Sequence, residues 1–234
     1  SLVVREVVTL PYTQNFDNSA TVTEYTTTWN GMTENRWYVG NAVNNTTDNA
    51  NGGALYISNN AGVGNEYNSG SATDAFAVAN IHFGEGLSFS LDFDWRAMAE
   101  GNYDYLRVYM LPIDANIVLS DAYALTSKLS NQATWQHESI TLSGEYANTT
   151  QKLVFYWRND GRDGDNPPAA VDNVSIGSMN CASVEQVSLT FVEGETPSLV
   201  VNVTDNNTNA TYLVEYKEQG ASSYTTFENV TMPY

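Results

Sequence analysis

Apolar and polar residues alternate with a period of two in runs that recur through the first 180 positions, with turn clusters between them. In "LSFSLDFDWRA" (87–97), Leu87, Phe89, Leu91, Phe93 and Trp95 alternate with Ser88, Ser90, Asp92, Asp94 and Arg96. That is the pattern of a strand with one face in a core and the other face polar. In "YDYLRVYML" (103–111), Leu106, Val108 and Met110 form the apolar set, opposite Tyr103, Tyr105, Arg107 and Tyr109. In "KLVFYWR" (152–158), Leu153, Phe155 and Trp157 lie opposite Val154, Tyr156 and Arg158. Further strands are predicted at 54–58, 74–83, 136–143 and 170–176, with Asn- and Gly-rich turns at 44–53, 59–71 and 159–168. Helical periodicity is nearly absent; only "SDAYALTSKL" (120–129) reads as a helix.

Many short strands separated by turn clusters predict an all-β fold, a jelly-roll β-sandwich over residues 1–178. The composition shifts near Gly177. Beyond it, Leu199, Val201 and Val203 share one strand face, as do Tyr212, Val214 and Tyr216. Residues 179–234 therefore read as a second, smaller β unit. It is shorter than the roughly 100 residues of a seven-stranded sandwich and is expected to be incomplete, with an open edge and exposed apolar residues.

Composition narrows the function. Nine Lys and Arg stand against 27 Asp and Glu, a net charge of −18. Such a surface repels phosphate backbones, so nucleic-acid binding is not expected. No apolar run approaches the roughly 18 residues that a membrane span requires, and no signal peptide begins at Ser1. The single cysteine, Cys181, permits neither an internal disulfide nor a Cys-rich zinc site.

Catalytic signatures are sparse. His82 and His137 lie in strand-like runs without a nucleophile motif, and the G-x-S-x-G, H-E-x-x-H and phosphate-loop patterns do not occur. Asp92 and Asp94 stand two apart on one face with no Glu beside them, unlike the carboxylate pair of a glycosidase. If the three strands share a sheet, Asp92, Asp94, Arg96, Tyr103, Tyr105, Arg107, Tyr109, Tyr156 and Arg158 form one outer face. Rings beside charged groups on such a face suit a sugar. Cross-strand pairs on a merely solvated sheet use the same residues.

The turn "NDGRDGDN" offers Asn159, Asp160, Asp163, Asp165 and Asn166 as oxygen donors, but in the wrong register for a helix–loop–helix calcium site. An Asx-rich turn explains them equally. Asp172 is the more telling carboxylate, because alternation places it where a core residue is expected. A buried carboxylate needs a cation or several hydrogen bonds. Asp17 is its expected distant partner, since the first and last strands of a jelly roll commonly lie side by side. The turn is then expected to deliver Asp172 to that site and not to be the functional loop itself.

The segments "LPYTQNFDNS" (10–19), "TTTWNGMTENRWYVGN" (26–41), "SFSLDFDWRAMAEGNYDYLRVYMLP" (88–112) and "KLVFYWRNDGRDGDNPPAAVDNVSI" (152–176) together resemble the cleaved-adhesin, or choice-of-anchor, jelly-roll family of Bacteroidetes surface proteins. MAM domains are similar at greater distance. "CASVEQVSL" and "TYLVEYKEQGASSYTTF" resemble the opening strands of a fibronectin type III module, without its usual Trp. The resemblance implies a non-catalytic, secreted or cell-surface binding module with a host or matrix protein or a glycan as partner. It also implies a structural calcium ion at Asp17 and Asp172; Asp48 and Asn51 in "TTDNANGG" are weaker additional candidates. A carbohydrate-binding module of a polysaccharide-processing surface protein is the alternative, and a purely structural spacer is a third.

Overall fold

The computed structural model describes residues 6–30, 34–43, 52–179, 186–193, 198–204 and 212–230. The chain divides into two units, Ser1–Met179 and Asn180–Tyr234.

The described strands of the first unit are β1 (Val7–Thr9), β2 (Tyr12–Gln14), β3 (Thr26–Asn30), β4 (Arg36–Gly40), β5 (Ala54–Ser58) and β6 (Thr73–His82), then β7 (Ser88–Ala97), β8 (Tyr105–Pro112), β9 (Gln132–Ser143), β10 (Thr150–Asn159) and β11 (Ala170–Ser178). They form two sheets. The first runs β1-β6-β10-β8, with β3 also pairing β6; the second runs β4-β5-β11-β7-β9, with β2 also pairing β11. The unit is a jelly-roll sandwich; the last strand, β11, lies beside β2, Gln14 opposite Val174 and Tyr12 opposite Ile176, while the first strand, β1, pairs with β6 in the other sheet.

The core lies between the sheets. Leu153, Phe155 and Trp157 of β10 are fully buried opposite Ala79, Ala77 and Ala75 of β6. Each large side chain thus meets a small one across the strand pair, which is how two sheets interdigitate without voids. Phe89, Leu91, Phe93 and Trp95 enter the same core from β7, but Leu87, expected with them, precedes the strand and is 63% exposed.

The expected helix at 120–129 is not formed. Only Asp121–Tyr123 makes a single 3-10 turn. The rest runs along β8, where Leu125 N–H donates to Val108 O and Leu106 and Leu129 exchange backbone hydrogen bonds. The unpaired edge of β8 gives these backbone groups partners that the weak local helix signal cannot outcompete.

This segment has a second consequence. Tyr105, Tyr109 and Tyr156 point outward from the first sheet, yet they are buried with Phe76, Val78, Leu111 and Val154, and Ala115, Ile117 and Ala124 pack over them. The outer face of the first sheet is a second, smaller core.

The described strands of the second unit are β12 (Gln186–Val192), β13 (Ser198–Thr204), β14 (Tyr212–Tyr216) and β15 (Thr225–Val230), paired as two antiparallel hairpins. Val187, Leu189 and Phe191 face Val203, Val201 and Leu199 across the first hairpin. Leu189, Phe191 and Leu199 are more than half exposed.

Candidate functional site

The two outer faces of the sandwich differ in kind. The first is closed by the 113–129 segment. On the second, β7, β9 and β11 present a polar strip: Ser90, Asp92, Asp94 and Ser175 half-buried along its middle, His137, Ser139 and Thr141 exposed along its edge. Period-2 alternation along β7 and β9 aims these side chains away from the core.

At the centre of the strip His137 lies across two carboxylates. Its Nδ1 is 2.7 Å from Asp94 Oδ1 and its Nε2 is 3.9 Å from Asp92 Oδ1. Asp94 and His137 are direct cross-strand partners, whereas Asp92 is one pair further along. The second Asp94 oxygen accepts from Asn173 Nδ2 at 3.0 Å. Asn173 reaches it because β11 bulges between Asp172 and Ser175, with Asn173 at φ 50°. Asn is one of the few residues that adopt this left-handed conformation at small cost. Beside the bulge lies a cleft of about 400 Å³ lined by Thr13, Gln14, Asn15, Asn173, Val174 and Ser175.

One end of the strip is apolar. Tyr56, Val43, Ala54 and Ala170 are buried there, with Tyr38 and Trp135 packed against them. Arg96, opposite Ala170 in the register, stands where the apolar end meets the polar strip.

The nine residues expected to share one face do not. Asp92, Asp94 and Arg96 belong to β7 in the second sheet, while Tyr105, Arg107 and Tyr109 on β8 and Tyr156 and Arg158 on β10 belong to the first. The sandwich separates the two sets. Tyr105, Tyr109 and Tyr156 are at most 6% exposed and offer no open ring. Tyr103 is exposed but precedes β8. Arg107 is bound to Asp121 at 2.8 Å and donates to Thr126 O. Alternation read along single strands identifies the outward residues but not the sheet to which each strand belongs.

Asp172 is 1% exposed, as its position suggested, but it sits in the outward register opposite Asp94, not on the core face. Its Oδ1 accepts from the Asn173 N–H. Asp17 is exposed; its carboxylate accepts from Gly53 N–H at 3.0 Å and from Asn15 Nδ2 at 2.9 Å. Asp48 and Asn51 lie outside the described residues.

Among the described residues, one set of three potential metal ligands has its donor atoms within 4.8 Å of one another: Glu100, Asp104 and Asp160. Glu100 and Asp104 come from the β7–β8 turn, and Asp160 follows β10. Asp104 is fully buried. It accepts from Tyr67 OH at 2.7 Å and from the Asp160 N–H at 2.8 Å. Burial holds its carboxyl above the ordinary carboxylate range; the hydrogen bonds from Tyr67 and Asp160 N–H oppose the shift and the Asp160 charge adds to it. Glu100 is raised too, by partial burial and by the charges of Asp104, Asp160, Asp163 and Asp165.

Sequence reading missed Glu100 and Asp104. The available signal was Asp104 at the head of a strand, in a turn that must meet the "NDGRDGDN" turn if β8 pairs with β10. Arg158 opposite Tyr105 shows that it does.

No helix among the described residues is long and apolar enough to cross a membrane. No family model matches the chain, and no curated protein matches it. Solved structures do. The xylan-binding CBM22-1 domain of Paenibacillus barcinonensis Xyn10C is 11% identical, with a TM-score of 0.42 over 73% of this chain and 95% of that one. The enzymatically active domain of bacteriophage CBA120 tailspike protein 4 is 17% identical, with a TM-score of 0.44; the match covers 70% of this chain but only 20% of the tailspike chain. The chain is similar in structure to the K1 and K3 cleaved adhesin domains of Lys-gingipain from Porphyromonas gingivalis W83, with 17% and 14% identity, TM-scores of 0.47 and 0.48, and coverage of 72% of this chain and 98% of each domain.

Proposed function

We propose that the chain is a non-catalytic, adhesin-like binding module of a secreted or cell-surface protein, and that the outer face of its second sheet holds the ligand. The observation that carries this reading is the contrast between the faces. The first outer face is closed by the 113–129 segment, whereas no described segment packs over the second, which presents a strip of hydroxyls, carboxylates, an imidazole and an amide. Asp92 and Asp94 project from one strand to one face and not across a cleft, which supports binding over glycosidase chemistry. A carbohydrate ligand is favoured by the hydroxyl- and amide-lined cleft beside Asn173, because the centres of protein interfaces are more apolar than this strip.

The test is binding of the whole chain to a glycan array and to matrix proteins, repeated with Asp94→Asn and His137→Ala. Each substitution is expected to weaken binding about tenfold or more, the effect of losing a charge-assisted hydrogen bond. The melting temperature of His137→Ala should move by no more than about 3 °C, since His137 is largely exposed. Unchanged affinity in both variants overturns the assignment of this face.

The same reading includes a structural calcium ion. Calcium takes oxygen donors only, and Glu100, Asp104 and Asp160 supply three carboxylates whose mutual repulsion a divalent cation relieves. Held there, it ties the β7–β8 turn to the turn after β10. The pH dependence follows from the raised carboxyls. Asp104 and Glu100 bind protons more tightly folded than unfolded. They therefore contribute stability below the ordinary carboxylate range, near pH 4, that is lost as pH rises through their folded values. In chelator, the protein is expected to melt lower at pH 7 than at pH 5. Calcium should raise the pH 7 value, and Asp104→Asn should abolish that rise. Equal melting temperatures with calcium and chelator rule the ion out. A calcium response that survives Asp104→Asn but is lost in Asp17→Ala or Asp172→Ala places the ion at the strand ends instead. The second unit is read as a fibronectin type III-like module, in keeping with its two antiparallel hairpins.

A further inference from the structure

Among the described residues, Arg96 has no carboxylate partner. The chain carries 27 acidic residues against nine basic ones, yet no carboxylate among the described residues lies within ion-pair distance of its guanidinium. Nη2 donates to Asn65 Oδ1 at 2.9 Å, and the Trp135 ring centroid lies 5.6 Å away. Nε is buried and meets no acceptor. Burial also pulls the pKa of Arg96 below its ordinary value, the mark of a charge held partly out of water without compensation. Arg107, on the closed side of the sandwich, has both a carboxylate and a carbonyl. A half-buried guanidinium with spare donors is a costly arrangement unless something else supplies the acceptor.

We propose that the junction around Arg96 binds a uronic-acid-bearing glycan, the sugar carboxylate docking on the guanidinium and the sugar ring lying against Trp135. The inference rests on the reading of this face as glycan-binding and names the class of sugar. The planar fork of Arg matches a carboxylate in two parallel hydrogen bonds. Trp135, partly buried at the edge of the apolar end, gives a pyranose the part of its ring that remains open to solvent. Asp94, two residues away on the same face, is already engaged by His137 and Asn173, and it can in turn accept from sugar hydroxyls. One guanidinium in a chain of charge −18 suits a singly charged carboxylate better than a doubly charged phosphate monoester, and the sulfated sugar tests the carboxylate against a second monoanion.

The experiment is calorimetric titration of the whole chain with oligogalacturonate and oligoglucuronate, with the carboxyl-reduced form of each, and with a sulfated, carboxyl-free carrageenan oligosaccharide. Binding of at least one uronate is expected. Affinity should fall about tenfold to a hundredfold on carboxyl reduction and in Arg96→Gln, with Arg96→Lys between. The Lys variant and the reduced sugars decide the matter even if Arg96→Gln folds poorly. Equal affinity for a uronate and its reduced form, preference for carrageenan, or unchanged binding in Arg96→Gln overturns the inference. If neutral sugars bind and are lost in His137→Ala but not in Arg96→Gln, the face is right and the sugar class wrong. If no glycan binds, the glycan reading of the face falls with it.

Discussion

Gly164→Ala is expected to lower the melting temperature of the sandwich by roughly 10 °C, a loss of about 3–4 kcal/mol. Gly164 has φ 137°, a conformation that side chains with a Cβ rarely adopt. The space is closed as well. A methyl group there would lie 2.0 Å from Tyr67 Oη and 2.6 Å from Asp104 Oδ2. Neither atom can move aside cheaply. Tyr67 is 4% exposed and packs edge-on against Trp157 at 5.2 Å, and Asp104 is fully buried. Forcing them apart breaks the Tyr67–Asp104 hydrogen bond and leaves a buried carboxylate short of a donor, about 1–3 kcal/mol on its own. Backbone strain adds a comparable amount. Any calcium response routed through Asp104 should weaken in the same variant. Gly84→Ala is the control: its added methyl meets nothing within 4 Å, and it should melt like the parent. Thermal unfolding of both variants decides the matter; equal melting temperatures would show that the 159–168 turn shifts freely around Gly164.

Tyr156→Ala is expected to cost about 3–5 kcal/mol and to leave ligand binding intact at temperatures where the protein remains folded. Tyr156 is 1% exposed, stacks on Phe76 at 5.2 Å and meets the edges of Tyr105 and Tyr109 at 6.1 Å. Its hydroxyl donates to Asp74. Removing the ring opens a cavity beneath the 113–129 segment, and removing the hydroxyl strips a half-buried carboxylate of its donor. Tyr156→Phe isolates the second effect and should cost about 1 kcal/mol. Chemical denaturation measures both. The outcome that would return these tyrosines to a binding role is the reverse one: unchanged stability with lost affinity.

Part of this was legible in the residues. Period-2 alternation places Phe89, Leu91 and Phe93 inward and Asp92, Asp94 and Arg96 outward, because in a strand that assignment follows from backbone geometry alone. The seven strands expected in the first unit all form, with boundaries that differ by up to four residues. The side-by-side arrangement of β2 and β11 follows from the jelly-roll topology itself. The strand character of β1 and β3 was not legible, because three residues or a uniformly exposed "TTTWN" carry no alternation between a buried and a solvated face.

The residue pattern alone thus carries an all-β sandwich and the inward or outward direction of side chains along unbulged strands; the bulge in β11 reverses the direction expected for Asp172. Tertiary structure decided which strands share a sheet, and so separated Asp92, Asp94 and Arg96 from Tyr105, Tyr109 and Tyr156. It decided that a poorly patterned segment, 113–129, would cover one outer face and turn an apparent aromatic platform into core. It brought Glu100 and Asp104 to Asp160 across some 60 positions of chain, and set Arg96 apart from every described carboxylate. The physical reason is common to all of these: alternation is a local property of the backbone, whereas sheet membership, coverage and charge pairing depend on which distant strands hydrogen-bond, and many pairings satisfy the same local pattern.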